Sequence, residues 1–422
     1  MIGSALAAWL QESGLSRSSI GLFGSMFIAY SINFLWSPLL DRIKPPFLGQ
    51  RRGWILCTQI LIVLACIGLA VVPVKEQLLL AGLVGFSIAL FSATQDISID
   101  AYRIDVIKPH EKDKLSAASA MATAGWWTGF GGLGAIPFFI ADLPNWLWSE
   151  IYFVLAGIMA LLSLVVLAAE EPVTDREYRQ QVAAKAYAQW QAANGGLVSV
   201  RQKVVNWLLV TLVEPFRDFF QRNTFKFALS ILLFIFLFKI GEAFLGRMSI
   251  VFYKELGFTN SDIGSYSKLM TWWITIVFSV LGGMVNIRYG IYRGLMVSGI
   301  AMAASNLMFA LMAQVGPDKA LYAATIFVDG FTAAWSSVAL VAFISLLCNQ
   351  AFSASQYALM ASLGVLGRTF MASSSGFLVD WMDGNWSGFF ILTAAMVIPS
   401  LLFLWSIRGH IARLERGESP GS

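Results

Sequence analysis

The sequence predicts an all-α polytopic membrane protein made of two related six-helix halves joined by a long linker. Three observations carry this. Hydrophobic residues make up 57% of the 422-residue chain, charged residues only 13%, and the mean hydropathy is +0.69. A soluble fold of this size could not bury so much apolar surface. The apolar segments are mostly longer than about eighteen residues and are separated by short polar turns, as helices crossing a hydrocarbon core roughly 30 Å thick require. Barrel strands would be about half that length. Finally, ESGLSRSSIG at residues 12 to 21 recurs as ELGFTNSDIG at 255 to 264, an offset of 243 residues.

Complete spans are expected near residues 18 to 40, 53 to 73, 77 to 101, 115 to 140, 150 to 169, 226 to 248, 263 to 285, 292 to 314, 319 to 346, 355 to 380 and 387 to 407. Of the 29 Lys and Arg, 21 fall in the loops 41 to 52, 103 to 114, 170 to 226 and 286 to 294 and in the tail. The positive-inside rule makes that side cytoplasmic, with the C-terminus there too, and an inner membrane the setting. The one long interruption holds Asn194-Gly195-Gly196, then VVNWLLVTLVEPFRDFF, apolar on one face. That second part reads as an interfacial helix on the inner leaflet that stops at Glu214-Pro215. The expected organisation is residues 1 to 169 as the N-terminal half, 170 to 225 as a cytoplasmic linker, 226 to 407 as the C-terminal half, and 408 to 422 as a cytoplasmic tail.

The repeat also predicts an absence. The span near 226 to 248 precedes the second copy, and its partner would fall almost wholly before Met1. The expectation is that most of helix 1 is missing from this chain, leaving IGSALAAWL as its end. Nine apolar residues without a basic n-region fit a signal peptide poorly.

Metal and cofactor chemistry find little support. Cys57, Cys66 and Cys348 lie in or beside apolar segments without ligand spacing, and His110 and His410 are the chain's two imidazoles. No metal or cofactor is expected. The net charge of +4 belongs mostly to loops on one side and does not indicate nucleic acid. The partners expected are the bilayer, a small-molecule substrate and protons, for a chain acting as a monomer and not as an enzyme.

Several charged residues stand out as candidates for function, Asp41 among them because topology does not need it. Asp41, Arg42, Arg51 and Arg52 occupy the turn after the first complete span, SPLLDRIKPPFLGQRRGW, echoed in the second half by Asn286 and Arg288. A carboxylate at Asp41 can cap the positive end of a neighbouring helix, the candidate being the one starting at Ser353 to Ser355, and so hold the cytoplasmic side shut. A positive-inside anchor is the plainer alternative. Further on, Asp96 and Asp100 share a helix face four residues apart, with Gln95 beside them and Asp105 beyond. An ionised carboxylate inside a bilayer costs about 3 kcal/mol, and two on one face are not cheaply charged together, which suits a proton carrier. Pairing of Asp100 and Asp105 with Arg42, Arg51 or Arg103 competes with that reading. In the second half Lys239 and Glu242 lie three apart, close enough to neutralise each other or to meet substrate, and Asp329 and Arg368 lack partners in their own helices. Trp126 and Trp127, in AGWWTGFGGLG, could stack on a sugar; helix packing through the small residues is the alternative.

Two parallel halves with such a turn resemble the major facilitators. FLWSPLLDR with PPFLGQRRGW, SATQDISIDAYRIDV, FKIGEAF and LCNQAFSASQYALMASLGVLGR together resemble the AmpG family of muropeptide permeases across nearly the whole chain. The resemblance implies a major-facilitator fold and proton symport. Its cargo would be N-acetylglucosaminyl-anhydro-N-acetylmuramyl peptides, imported from periplasm to cytoplasm for peptidoglycan recycling, with a link to β-lactamase induction in some bacteria. It implies that Asp96 and Asp100 are the family's acidic pair and that Lys239 and Glu242 are its KxG[DE]AF charges. It also places Gln356 of the SASQ segment among the substrate-binding candidates. This chain has Asn33 where family members often carry lysine. A related permease for another solute, or a non-transporting muropeptide sensor, remains the alternative reading.

Overall fold

A computed structural model describes residues 2–13, 26, 28–74, 76–108, 111, 114–141, 143–172, 181, 200–223, 225–259 and 262–416. His110, the Asn194-Gly195-Gly196 break, most of the linker and most of the first repeat copy lie outside these residues. Among the described residues the regular structure is helical, with no strand. Eight helices are long and apolar enough to cross a membrane by length and composition: Arg51–Val71, Leu78–Asp105, Trp148–Ala168, Phe225–Leu256, Ser265–Tyr289, Ile291–Val315, Lys319–Leu347 and Trp386–Ser406. Each answers a span expected from hydropathy.

Three expected spans are not single helices of that kind. Within 18 to 40, the described part is a short helix, α2 (Ile28–Ile32, following α1, Ile2–Glu12), a 3₁₀ turn (Asn33–Leu35) and α3 (Ser37–Arg42), restarted by Pro38, whose missing N–H is tolerated only in a first turn. Within 115 to 140, α6 (Lys114–Trp127; α4 is Arg51–Val71 and α5 Leu78–Asp105) widens into a π segment at Thr128–Gly132 before α7 (Leu133–Ala141). Three glycines there leave the backbone free to widen, and Pro137 removes a further donor from α7. Within 355 to 380, a turn at Ser373 and Ser374 interrupts the helix. The linker expectation is also corrected: the helix does not stop at Glu214-Pro215 but runs from Val200 through Pro215 to Arg222, held by a buried face that includes Thr211, Asp218 and Phe219. One lost hydrogen bond is outweighed by that burial.

The chain forms two compact units. The first comprises Met1–Val106, Gly129–Phe219 and Cys348–Ser362. In it α4 packs along both α5 and α8 (Trp148–Ala168). Leu6, Leu10, Ile62, Cys66, Leu69, Ile88, Tyr152 and Leu155 make its larger core. The first helix is tied in by the Trp148 indole donating to Glu12 (2.6 Å) and by the Tyr152 hydroxyl donating to the Ile2 carbonyl (3.0 Å). A smaller cluster joins Leu40, Ile97 and Ala101 to Ala354 and Ala358.

The second unit comprises Ile107–Thr128, Phe220–Leu347 and Leu363–Ser422. After α9 (Val200–Arg222), its helices run α10 (Phe225–Phe238), α11 (Ile240–Leu256), α12 (Thr271–Tyr289), α13 (Ile291–Val315) and α14 (Lys319–Leu347). Then come α15 (Ser353–Ala372), of which the part up to Ser362 belongs to the first unit, α16 (Ser375–Trp381), α17 (Trp386–Ala395), α18 (Ile398–Ser406) and α19 (Arg408–Glu415). Its core is aromatic: Phe252, Tyr253, Phe309, Tyr322, Phe389 and Phe390 bury their rings together. Small residues set a close helix approach, where Gly283 of α12 meets Ala120 and the Ser116 carbonyl of α6 so tightly that a Cβ would collide.

Candidate functional site

A dense polar network lies in the first unit, at the end that carries the basic turn. Arg51, the first residue of α4, is fully buried. Its Nε donates to Asp105 Oδ2 and its Nη2 to Asp41 Oδ1, both at 2.7 Å, and Nη2 also reaches Ser353 Oγ at 2.8 Å. A cation this deep is tolerable only because both carboxylates and the hydroxyl satisfy it. Asp41, at the end of α3, spends its oxygens on the first turn of α15. It accepts from the amides of Ala354 (3.3 Å) and Ser355 (2.9 Å) and from the Ser355 hydroxyl. Free amides at a helix start, aligned with the helix dipole, are the natural partners of a carboxylate. The helix named from the sequence is the one that Asp41 meets.

The other turn residues point elsewhere. Arg42 lies over the Trp207 ring, 5.4 Å from its centroid. Burial lowers its pKa from the ordinary guanidinium value. Arg52 donates to the carbonyls of Val166 (3.0 Å) and Leu167 (2.8 Å) at the end of α8. Gln50 donates to the carbonyls of Leu40 (2.8 Å) and Asp41 (2.5 Å), closing the loop.

Glu171 was not singled out from the sequence. Its carboxylate accepts from the amides of Gln50, Arg51 (2.9 Å) and Arg52 (3.0 Å), at the start of α4. In the second unit Glu415 accepts from Ile291 (2.6 Å) and Tyr292 (3.2 Å), at the start of α13. Gly49 and Gly290, both with φ of +89°, precede the two helices. Glu171 and Glu415 stand 244 residues apart, so the 243-residue repeat held the signal that pairs them. The repeat does not carry the rest of the turn across: the Asn286 amide oxygen accepts from the Trp335 indole (2.9 Å) and Arg288 lies over its neighbour Tyr289.

Along α5 the acidic pair divides. Asp100 is held by Arg103 at 3.0 Å, and Arg103 in turn lies 5.2 Å from the ring centroid of Tyr357. Asp96 is exposed on the helix face and has no ion pair among the described residues; Gln95 is half-buried beside it. One turn earlier, the Tyr30 hydroxyl donates to Ser92 at 2.7 Å. Asn33 is buried, and Ser362 donates to its side-chain oxygen at 2.9 Å. Trp126 is exposed and Trp127 half-buried at the end of α6, their rings edge to face at 5.2 Å.

The second unit holds the other cluster. Lys239, buried at the turn between α10 and α11, donates to Glu242, to Ser336 Oγ (2.8 Å) and to the Ala333 carbonyl (3.3 Å). Asp329, half-buried on α14, accepts from Ser305 Oγ at 3.1 Å, and Thr332 Oγ1 donates to the same Ser305 at 3.3 Å. Arg368 is exposed on α15, within electrostatic reach of Lys239. The four charges expected at the substrate thus belong to one unit. Gln356 does not join them. It is fully buried, its amide nitrogen donating to Asp218 (2.9 Å) and the Pro215 carbonyl (3.0 Å) and its oxygen accepting from the Asn349 amide (2.8 Å). No group of His, Cys, Asp and Glu among the described residues has the arrangement of a metal site.

Eight long apolar helices, with ion pairs and hydroxyls turned into the bundles, define a multi-pass inner-membrane protein whose interior chemistry suits a small-molecule substrate. The chain belongs to the major facilitator superfamily, whose family model matches residues 1–270, and it is a transporter. It is 32% identical over 408 residues to the anhydromuropeptide permease of Escherichia coli K12, covering 96% of this chain and 75% of that one. It is also 32% identical over 409 residues to a Rickettsia felis protein named for AmpG (AmpG 4), covering 96% and 91%. Among solved structures, the proton:xylose symporter XylE bound to 6-bromo-6-deoxy-D-glucose superposes with a TM-score of 0.63 at 15% identity, covering 96% of this chain and 90% of that one. FucP in the outward conformation gives 0.63 at 14% identity, covering 93% and 90%. These two share the fold.

Proposed function

We propose that this transporter carries anhydro-muropeptides, sugar-linked peptides from cell-wall turnover, from periplasm to cytoplasm with protons as the driving ion. The observation that carries the cargo is the 32% identity to the Escherichia coli permease across 96% of this chain. The charges in the bundles support it. A muropeptide presents carboxylates, amides and hydroxyls, and Lys239, Glu242, Asp329 and Arg368 offer partners for each. Arg368, exposed and without an ion pair among the described residues, is the group for a peptide carboxylate. Asp96 takes the role of proton carrier, because Asp100 is engaged by Arg103 while Asp96 is exposed and has no such partner among the described residues. Each positive charge moving inward gains about 2.3 kcal/mol per 100 mV, enough to drive accumulation. Asp41, Arg51 and Asp105 form the cytoplasmic latch, with the protein acting as a monomer and its C-terminus in the cytoplasm.

The test is uptake of labelled anhydro-muropeptide into proteoliposomes with an imposed pH gradient. Accumulation that collapses with a protonophore supports the proposal; binding without accumulation makes the protein a sensor, and uptake indifferent to the gradient removes proton coupling.

A further inference from the structure

The latch has a second layer, supplied by the linker helix. Asp41 and its helix-start partner Ser355 each have a chain neighbour that α9 grips. Next to Asp41, Arg42 lies over Trp207, 5.4 Å from its centroid. Next to Ser355, Gln356 donates to Asp218 at 2.9 Å and to the Pro215 carbonyl at 3.0 Å, and Asn349 donates to Asp218 at 3.2 Å. Asp218 is 6% exposed and Gln356 fully buried. A carboxylate is not placed in such surroundings by amphipathicity; an interfacial helix would keep it in water. Asp218 is instead spent on two side-chain amides in the segment that opens α15, and it fixes the first turn of that helix where Asp41 needs the amides of Ala354 and Ser355 presented.

We infer that the linker helix α9 sets how firmly the cytoplasmic latch is held, with Asp218 and Trp207 as positioning residues that act through Gln356 and Arg42 on the Asp41–Ser355 contact. This rests on the transport reading for the meaning of the latch, but not for its geometry. An interaction of the linker helix with membrane or ligand that pulled Asp218 off Gln356 would loosen the latch without touching Asp41.

The experiment needs no substrate. With Cys57 and Cys66 replaced by Ala, Cys348, beside Asn349 at the end of α14, is the remaining thiol, and its labelling by a membrane-impermeant maleimide in inside-out vesicles reports opening of that end. Asp218→Asn and Trp207→Ala are each expected to raise the labelling rate roughly tenfold, the effect of losing one charge-assisted contact. Trp207→Phe, which keeps an aromatic face under Arg42, should stay near the parent rate. In the Asp41→Asn background neither substitution should add further, because the latch they act through is already released. Trp207 approaches from the Arg42 side, so its variants decide the matter even if Asp218→Asn does not fold. Rates unchanged in both single variants, or effects that simply add to Asp41→Asn, overturn the inference. Uptake measured on the same proteins is separate: a parent that does not transport muropeptide removes the cargo assignment and leaves the linker coupling standing or falling on the labelling alone.

Discussion

At the scale of single residues, Arg51 is the most exacting position, because it is one cation between two carboxylates out of reach of water. Removing one partner of such a group strands the others, typically at about 3–5 kcal/mol. Arg51→Leu should therefore lower the melting temperature in detergent far more than Arg52→Leu, whose guanidinium meets the carbonyls of Val166 and Leu167; equal losses would mean that the buried network is not what holds this end together. Asp96 calls for a different measurement. Asp96→Asn keeps shape and hydrogen bonding but cannot titrate, so it should abolish concentrative uptake and spare substrate exchange. If both Asp96→Asn and Asp100→Asn still accumulate substrate while a protonophore still stops the parent, the proton travels elsewhere. For Arg368, replacement by Lys loses the fork that grips a carboxylate in bidentate fashion. Binding should weaken roughly tenfold with expression intact, and unchanged affinity would make the residue structural.

At the scale of elements, the two units use the same device at helix starts. Glu171 and Glu415 each close a helix that follows a left-handed glycine. An acidic cap of this kind is worth about 0.5–2 kcal/mol. Glu171→Ala and Glu415→Ala should each lose stability within that range, with faster amide exchange confined to the first turns of α4 and α13. Exchange that rises along the whole of either helix would show that the carboxylate supports more than its cap. The elements that departed from expectation share a cause. Hydropathy registers apolar length but not continuity, so the π segment at Thr128–Gly132 and the turn at Ser373 and Ser374 lay inside stretches that read as spans. Pro215 misled in the opposite direction, since a proline is a helix stop only when nothing else holds the helix, and here buried Thr211, Asp218 and Phe219 do.

At the scale of the whole molecule, transport with cargo and coupling is the property to measure, and the vesicle experiment separates a permease from a sensor. What the sequence by itself determined was the solvent and the spans: hydropathy is additive along the chain, so Ile291–Val315 and Lys319–Leu347 fall within a residue of where they were expected. Local chemistry was legible as well, since Lys239 at the cap and Glu242 in the first turn of α11 sit three apart and meet as that spacing allows. The tertiary structure decided everything that joins distant parts of the chain. That Asp218 is buried against Gln356, 138 residues on, and that Glu171 faces the amides of α4, follows from how helices pack. A carboxylate in a linker looks the same in sequence whether it faces water or a helix start. Only packing removes the water, and with the water gone the carboxylate must take its hydrogen bonds from the protein.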